Sequence, residues 1–187
     1  MPAADLNDVE VYAVEVSPEN VELLERNIRL NGWEDKFHVE CVALSDEDGE
    51  ADVYTHNGSN LHSLQDRVYE ARPERVEEID TTPTLRGDTL LNDYGLSQSD
   101  IDVLRMDVEG HEAAILRGLP ELFDDSPMLI HMEIHPCFMS DEDTAYVVNR
   151  LSDCEIIVAA RDEERFDDAT LDELVRSERY FEVVAKC

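Results

Sequence analysis

The stretch Ile101-Asp102-Val103-Leu104-Arg105-Met106-Asp107-Val108-Glu109-Gly110-His111-Glu112 constrains the fold more than any other. An apolar run of strand length, with β-branched Ile101 and Val103, meets a cluster of acids at its carboxyl end. A glycine and the helix-favouring Glu112-Ala113-Ala114-Ile115-Leu116 follow, so the stretch reads as strand, acidic turn, helix. In open α/β sheets ligands bind beyond the carboxyl ends of the strands, which puts Asp107, Glu109 and His111 where chemistry is normally done. The same residues also fit a plain polar turn, with acids drawn to a helix N-terminus.

The flanking segments repeat the alternation. Val9 to Val16 is dense in β-branched and aromatic residues and carries an acid, Glu15, near its end. Ser17-Pro18 then supplies an N-cap and a proline at the first helical position, Val21, Leu24 and Ile28 form an apolar stripe, and Gly32 stops the helix. Phe37 to Leu44 reads as a second strand, and Ala51 to Thr55 as a short extra one. His56 to Arg75 is the least regular part, either a substrate loop or a surface excursion. Val76 to Thr82 is a further strand candidate and Asp88 to Tyr94 a short helix closed by Gly95. Met128 to His135 forms the next strand, with His131, Glu133 and His135 on one face. Asp141 to Leu151 reads as helix, Glu155 to Ala160 as strand, Ala169 to Glu178 as helix and Phe181 to Lys186 as a final strand. The expectation is one α/β domain over residues 1–187, with a Rossmann-like, mostly parallel sheet and helices on both faces.

Bulk charge excludes several function classes. The 187 residues carry 46 acids against 15 bases, a net charge of -31, and lysine occurs only at Lys36 and Lys186. Such a chain lacks the clustered cations that a nucleic-acid backbone requires, so no nucleic-acid partner is expected. Acids in every segment beside 42% hydrophobic residues point to a halophilic protein kept soluble where counterions screen its self-repulsion. No apolar run reaches the roughly 18 residues of a membrane span, and residues 1–8 do not read as a signal peptide. The expected setting is cytoplasmic, with no membrane partner. The scattered Cys41, Cys137, Cys154 and Cys187 read as reduced thiols.

An acid at a strand end in a nucleotide-type α/β unit can accept hydrogen bonds from both hydroxyls of a ribose, which gives Glu15 a candidate role; an ordinary exposed acid is the alternative. Order along the chain adds to this. An acid-ended strand, a helix, a second strand and a later strand ending in Asp107 follow the layout of class I S-adenosylmethionine-dependent methyltransferases. Val11 to Glu15 with Leu23 to Gly32, Cys41 to Asp46, Ile101 to Gly118 with its Asp107-Val108-Glu109-Gly110-His111-Glu112 run, and Ile130 to His135 together resemble the FkbM family of methyltransferases. The resemblance covers roughly residues 9 to 136, and the Asp-Val-Glu-Gly-x-Glu run is its most specific element.

The resemblance implies S-adenosyl-L-methionine as cofactor, with Glu15 on its ribose, Val42 and Ala43 beside the adenine and Asp107 near the methionine portion. It also implies methylation of a hydroxyl on a small molecule or sugar. The family begins with a strand and a glycine-rich turn that cradles the cofactor, whereas here nothing before Val9 has a G-x-G pattern. The chain therefore reads as lacking that first strand and glycine loop. Two strand edges are left unpaired, and association through them becomes an option. The candidates for the base that takes the hydroxyl proton are Glu109, His111, Glu133 and His135. Two other readings stay open: a non-catalytic remnant or subunit, and a divalent-metal enzyme drawing on Asp107, Glu109, His111, Glu133 and His135, although no metal site is assigned. His131 and His135 lie about 13 Å apart along an extended strand and cannot share one ion.

Overall fold

The computed structural model describes residues 9–56, 62–64, 76–123, 127–161, 164–165, 171–176 and 179–187. The chain divides into two compact units, residues 1–43 and 44–187.

In the first unit β1 (Val11–Val14) runs parallel to β2 (Phe37–Glu40), joined by helix α1 (Pro18–Asn31). The helix starts and stops where its residues dictate. The Ser17 side chain accepts from the Asn20 backbone N–H, Pro18 occupies the first turn, and Gly32 adopts φ 69, a left-handed conformation that a side chain would resist. Trp33 stacks on Phe37, and Tyr12 on His38 across the strand pair.

The second unit holds two sheets. One has strand order β3-β6-β4-β5, built from β3 (Ala43–Ser45), β4 (Gly49–His56), β5 (His62–Ser63) and β6 (Val76–Arg86), with β4 antiparallel to both β5 and β6. Helix α2 (Gly87–Asp93) leaves β6 directly. The other sheet has order β10-β9-β11-β8-β7. In it β7 (Val103–Met106) and β8 (Leu129–Ile134) are parallel, while β11 (Phe181–Lys186) lies antiparallel to both β8 and β9 (Glu155–Arg161), and β10 (Glu164–Arg165) antiparallel to β9. Helices α3 (Glu112–Arg117), α4 (Asp141–Leu151) and α5 (Leu171–Val175) complete the unit.

The core follows from strand alternation. Ile130, Met132 and Ile134 of β8 and Phe181, Val183 and Ala185 of β11 are all within 1% of complete burial, packed with Leu116 of α3 and Val147 and Leu151 of α4. Each larger side chain of this set is worth about 1.5–3 kcal/mol of transfer free energy. The opposite face of β8 carries His131 and Glu133, half-buried, with His135 just beyond. Arg117 ties α3 to α4 through Asp143 at 2.7 Å and lies over the Tyr146 ring.

Several expectations need correction. The sheets are mixed rather than mostly parallel, because β9, β10 and β11 return antiparallel on the β8 side and β4 and β6 form a long antiparallel pair. The single strand expected over Phe37 to Leu44 is two: β2 ends at Glu40, and the chain bends at Val42 before β3 joins another sheet. Cys154 and Cys187 form a disulfide rather than reduced thiols, because the β9–β11 register sets Glu155 against Lys186 and so brings the flanking cysteines face to face. Most of the irregular stretch His56 to Arg75 lies outside the described residues. Among the described residues no helix is long and apolar enough to cross a membrane, and β1 and β7 each have a hydrogen-bonded neighbour on one side only.

Candidate functional site

The parallel pairing of β7 with β8 sets Arg105 beside His131 and Met106 beside Met132, so Asp107, just past the end of β7, comes next to Glu133 near the end of β8. Beyond Asp107 the chain turns sharply. Glu109 sits at φ 51 and Gly110 at φ 97, both in the left-handed region. At Gly110 the conformation suits only glycine, and a Cβ there would come within 2.6 Å of Phe138 Cβ. Glu109 is the sole non-glycine residue with positive φ among the described residues. Such backbone costs on the order of 1–3 kcal/mol and clusters at functional sites.

The turn delivers Glu112 into the interior. Its side chain is fully buried, and Oε1 lies 2.9 Å from His135 Nδ1 and accepts from the Gly110 N–H at 3.3 Å. Its Oε2 has no hydrogen-bond partner. His135 follows β8, is 6% exposed, and lies between the rings of Phe138 and Tyr180, centroids 6.2 and 5.9 Å away. Because Glu112 takes Nδ1, the other ring nitrogen faces the remaining acids: Nε2 is 3.5 Å from Glu109 Oε2 and 3.9 Å from Glu133 Oε2. Arg105, well exposed, reaches Asp107 Oδ2 at 3.5 Å.

The electrostatics follow from this crowding. Burial and then the neighbouring acids push the Glu109 carboxyl above its ordinary value, against the pull of His135. Burial and then Asp107 raise Glu133. Burial alone would lower His135, but the hydrogen bond and charge of Glu112, with Glu109 and Asp107, outweigh it and the net shift is upward.

Thus Asp107, Glu109, Glu133 and His135 lie close together, whereas His111 does not join them. Its Nε2 turns to Ser45 Oγ at 3.1 Å, and burial lowers its pKa. That contact depends on a close backbone approach, since a Cβ at Gly118 would collide with the Ser45 carbonyl oxygen. His131 lies apart, 3.9 Å from Glu182. Sequence reasoning missed Glu112, whose acid within the apolar Ala113-Ala114-Ile115-Leu116 helix start was the available signal, and it missed the Ser45 partner of His111. In the first unit Glu15 directly follows β1; its Oε1 accepts the Ser17 N–H at 2.8 Å and its Oε2 the Asn20 side-chain amide at 3.3 Å.

Acids and a histidine collected beyond the carboxyl ends of adjoining parallel strands are the layout in which α/β proteins hold small ligands. The chain belongs to the FkbM methyltransferase family: the family model described as "Methyltransferase FkbM domain" matches residues 4–174. In structure the chain is similar to methyltransferase FkbM from Methylobacillus flagellatus KT, with TM-score 0.52 and 14% identity, over 93% of this chain and 36% of that one. The chain thus spans about a third of the length of that protein, and the likeness is one of fold. No curated protein matches the chain in sequence.

Proposed function

We propose that the chain is an S-adenosyl-L-methionine-dependent O-methyltransferase acting on the hydroxyl of a small molecule or sugar. The family membership supports methyl transfer, and Glu109 carries the assignment of chemistry to residues: a 24%-exposed carboxylate, held in a strained turn beside His135.

The donor set of the first unit fits the cofactor. Each Glu15 oxygen accepts one internal hydrogen bond, which leaves a second acceptor position on each for the two hydroxyls of a ribose. Val42 and Ala43, just beyond β2, flank the adenine in this reading. When bound, the cofactor supplies an electrophilic sulfonium methyl. What the chain contributes is placement and a proton acceptor. The acceptor hydroxyl lies against Glu109, whose carboxylate takes its proton as the oxygen forms its new bond. His135, fixed through Nδ1 by Glu112, keeps Glu109 and Glu133 from drifting apart. His111, whose Nε2 turns to Ser45, is given no part in the proton transfer in this reading.

The test is transfer of tritiated methyl groups from S-adenosyl-L-methionine to a panel of sugars and hydroxylated small molecules. Transfer by the native chain, with kcat reduced about 10²–10⁴-fold in Glu109→Gln and the cofactor KM unchanged, supports the reading. A folded chain that neither binds cofactor nor transfers methyl groups would favour the non-catalytic alternative.

A further inference from the structure

The arrangement of His135 has a second implication. Asp107, Glu133 and His135 each offer one ligand atom, and these atoms lie within 4.8 Å of one another. Two ligands on one ion can be no farther apart than twice the metal–ligand bond, about 4.2 Å for Mg²⁺ and nearer 5 Å for Ca²⁺. The trio therefore needs little or no contraction to close on a single ion.

Clustered acids alone would mean little in a chain with a net charge of -31. The independent observation is Glu112. A fully buried carboxylate with one oxygen lacking any hydrogen bond costs about 1–3 kcal/mol. What it accomplishes is to fix the His135 ring, taking Nδ1 and leaving Nε2 directed at the acids. A carboxylate behind a histidine is the arrangement that orients metal-ligating imidazoles and raises their basicity. Nε2 faces Glu109 and Glu133 at 3.5 and 3.9 Å. Arg105, 61% exposed, reaches Asp107 at 3.5 Å.

We propose that Asp107, Glu133 and Nε2 of His135 form the protein's binding site for one divalent cation, with Glu112 as the positioning residue behind His135. Two carboxylates and one imidazole are oxygen and nitrogen donors that accept a first-row divalent ion, with Mn²⁺ as the probe. Asp107 then serves the cation rather than the methionine portion of a cofactor. The catalytic consequence rests on the methyl-transfer reading: a cation beside Glu109 lowers the pKa of a coordinated acceptor hydroxyl and leaves Glu109 to receive the proton.

The cation is read without any methyl transfer, so the two ideas fail separately. The folded chain is titrated with MnCl₂ in 2 M KCl, where salt suppresses diffuse binding to surface acids, and free Mn²⁺ is followed by electron paramagnetic resonance. The expected result is one site per chain, weakened at least tenfold in the Asp107→Asn/Glu133→Gln double variant and in His135→Gln, and about 10–100-fold in Glu112→Gln. Thermal unfolding gives a second readout. Mn²⁺ raises the midpoint of the native chain and not that of the double variant, which without metal melts no lower than the native chain because like charges have been removed. Equal Mn²⁺ affinity and stoichiometry in the native chain and the double variant would overturn the site.

Discussion

Glu112 Oε1 and His135 Nδ1 meet at 2.9 Å in the interior, the carboxylate fully buried and the imidazole nearly so. The contact joins the first turn of α3 to the residue that follows β8, and thereby directs Nε2 of His135 at Glu109 and Glu133. Breaking a buried pair by removing one partner typically costs about 3–5 kcal/mol, whereas a neutral isostere keeps the hydrogen bond. Glu112→Ala should therefore lose about 3 kcal/mol in urea unfolding and Glu112→Gln much less. Equal losses in the two variants would mean that volume, not the His135 contact, is what the position provides.

His111 and His135 should titrate on opposite sides of the ordinary histidine value, the first lowered by burial and the second raised by its carboxylates. For His111 the sign is clear. Its folded pKa lies below the unfolded 6.5, so the unfolded chain binds the proton first as pH falls. Its contribution to stability is complete above about pH 6.5 and is lost as pH drops toward the folded value. Asp46, Glu112 and Asp143 oppose the shift without reversing it. Histidine ring resonances followed by NMR between pH 4 and 8 in EDTA measure both groups. A His111 midpoint above 6.5 would contradict its burial against Ser45.

The Cys154–Cys187 disulfide closes a separation of 33 residues and pins the last strand, β11, to the start of β9. In the chain-entropy model a loop of that length is worth about 3–4 kcal/mol. Reduction, or a Cys154→Ser variant, should lower the unfolding free energy by that order, with Phe181 to Lys186 the first segment to lose amide-exchange protection. Identical melting with and without reductant would show that the crosslink does not form in solution.

Much of this fold was legible because local signals agreed with one another. Ser17, Pro18 and Gly32 bracket α1 as their chemistry requires, and Asp141 to Leu151 and Phe181 to Lys186 fall where their patterns put them. The direction of the strands was not legible. Whether β11 runs with or against β8 depends on how the chain returns to the sheet, and the apolar alternation of Phe181, Val183 and Ala185 is the same either way. The candidate site divides similarly. Asp107, Glu133 and His135 follow from strand ends and alternation, but Glu112 and Ser45 act through contacts across 23 and 66 residues, which no local pattern encodes.

Binding of S-adenosyl-L-methionine to the native chain, measured by calorimetry in 2 M KCl against Glu15→Ala, bears most directly on the claim that this is a methyltransferase. The account predicts saturable binding of one cofactor per chain, weakened at least tenfold when the Glu15 carboxylate is removed and unchanged in Glu109→Gln. A folded chain that takes up no cofactor, or one whose affinity is indifferent to Glu15, would contradict it.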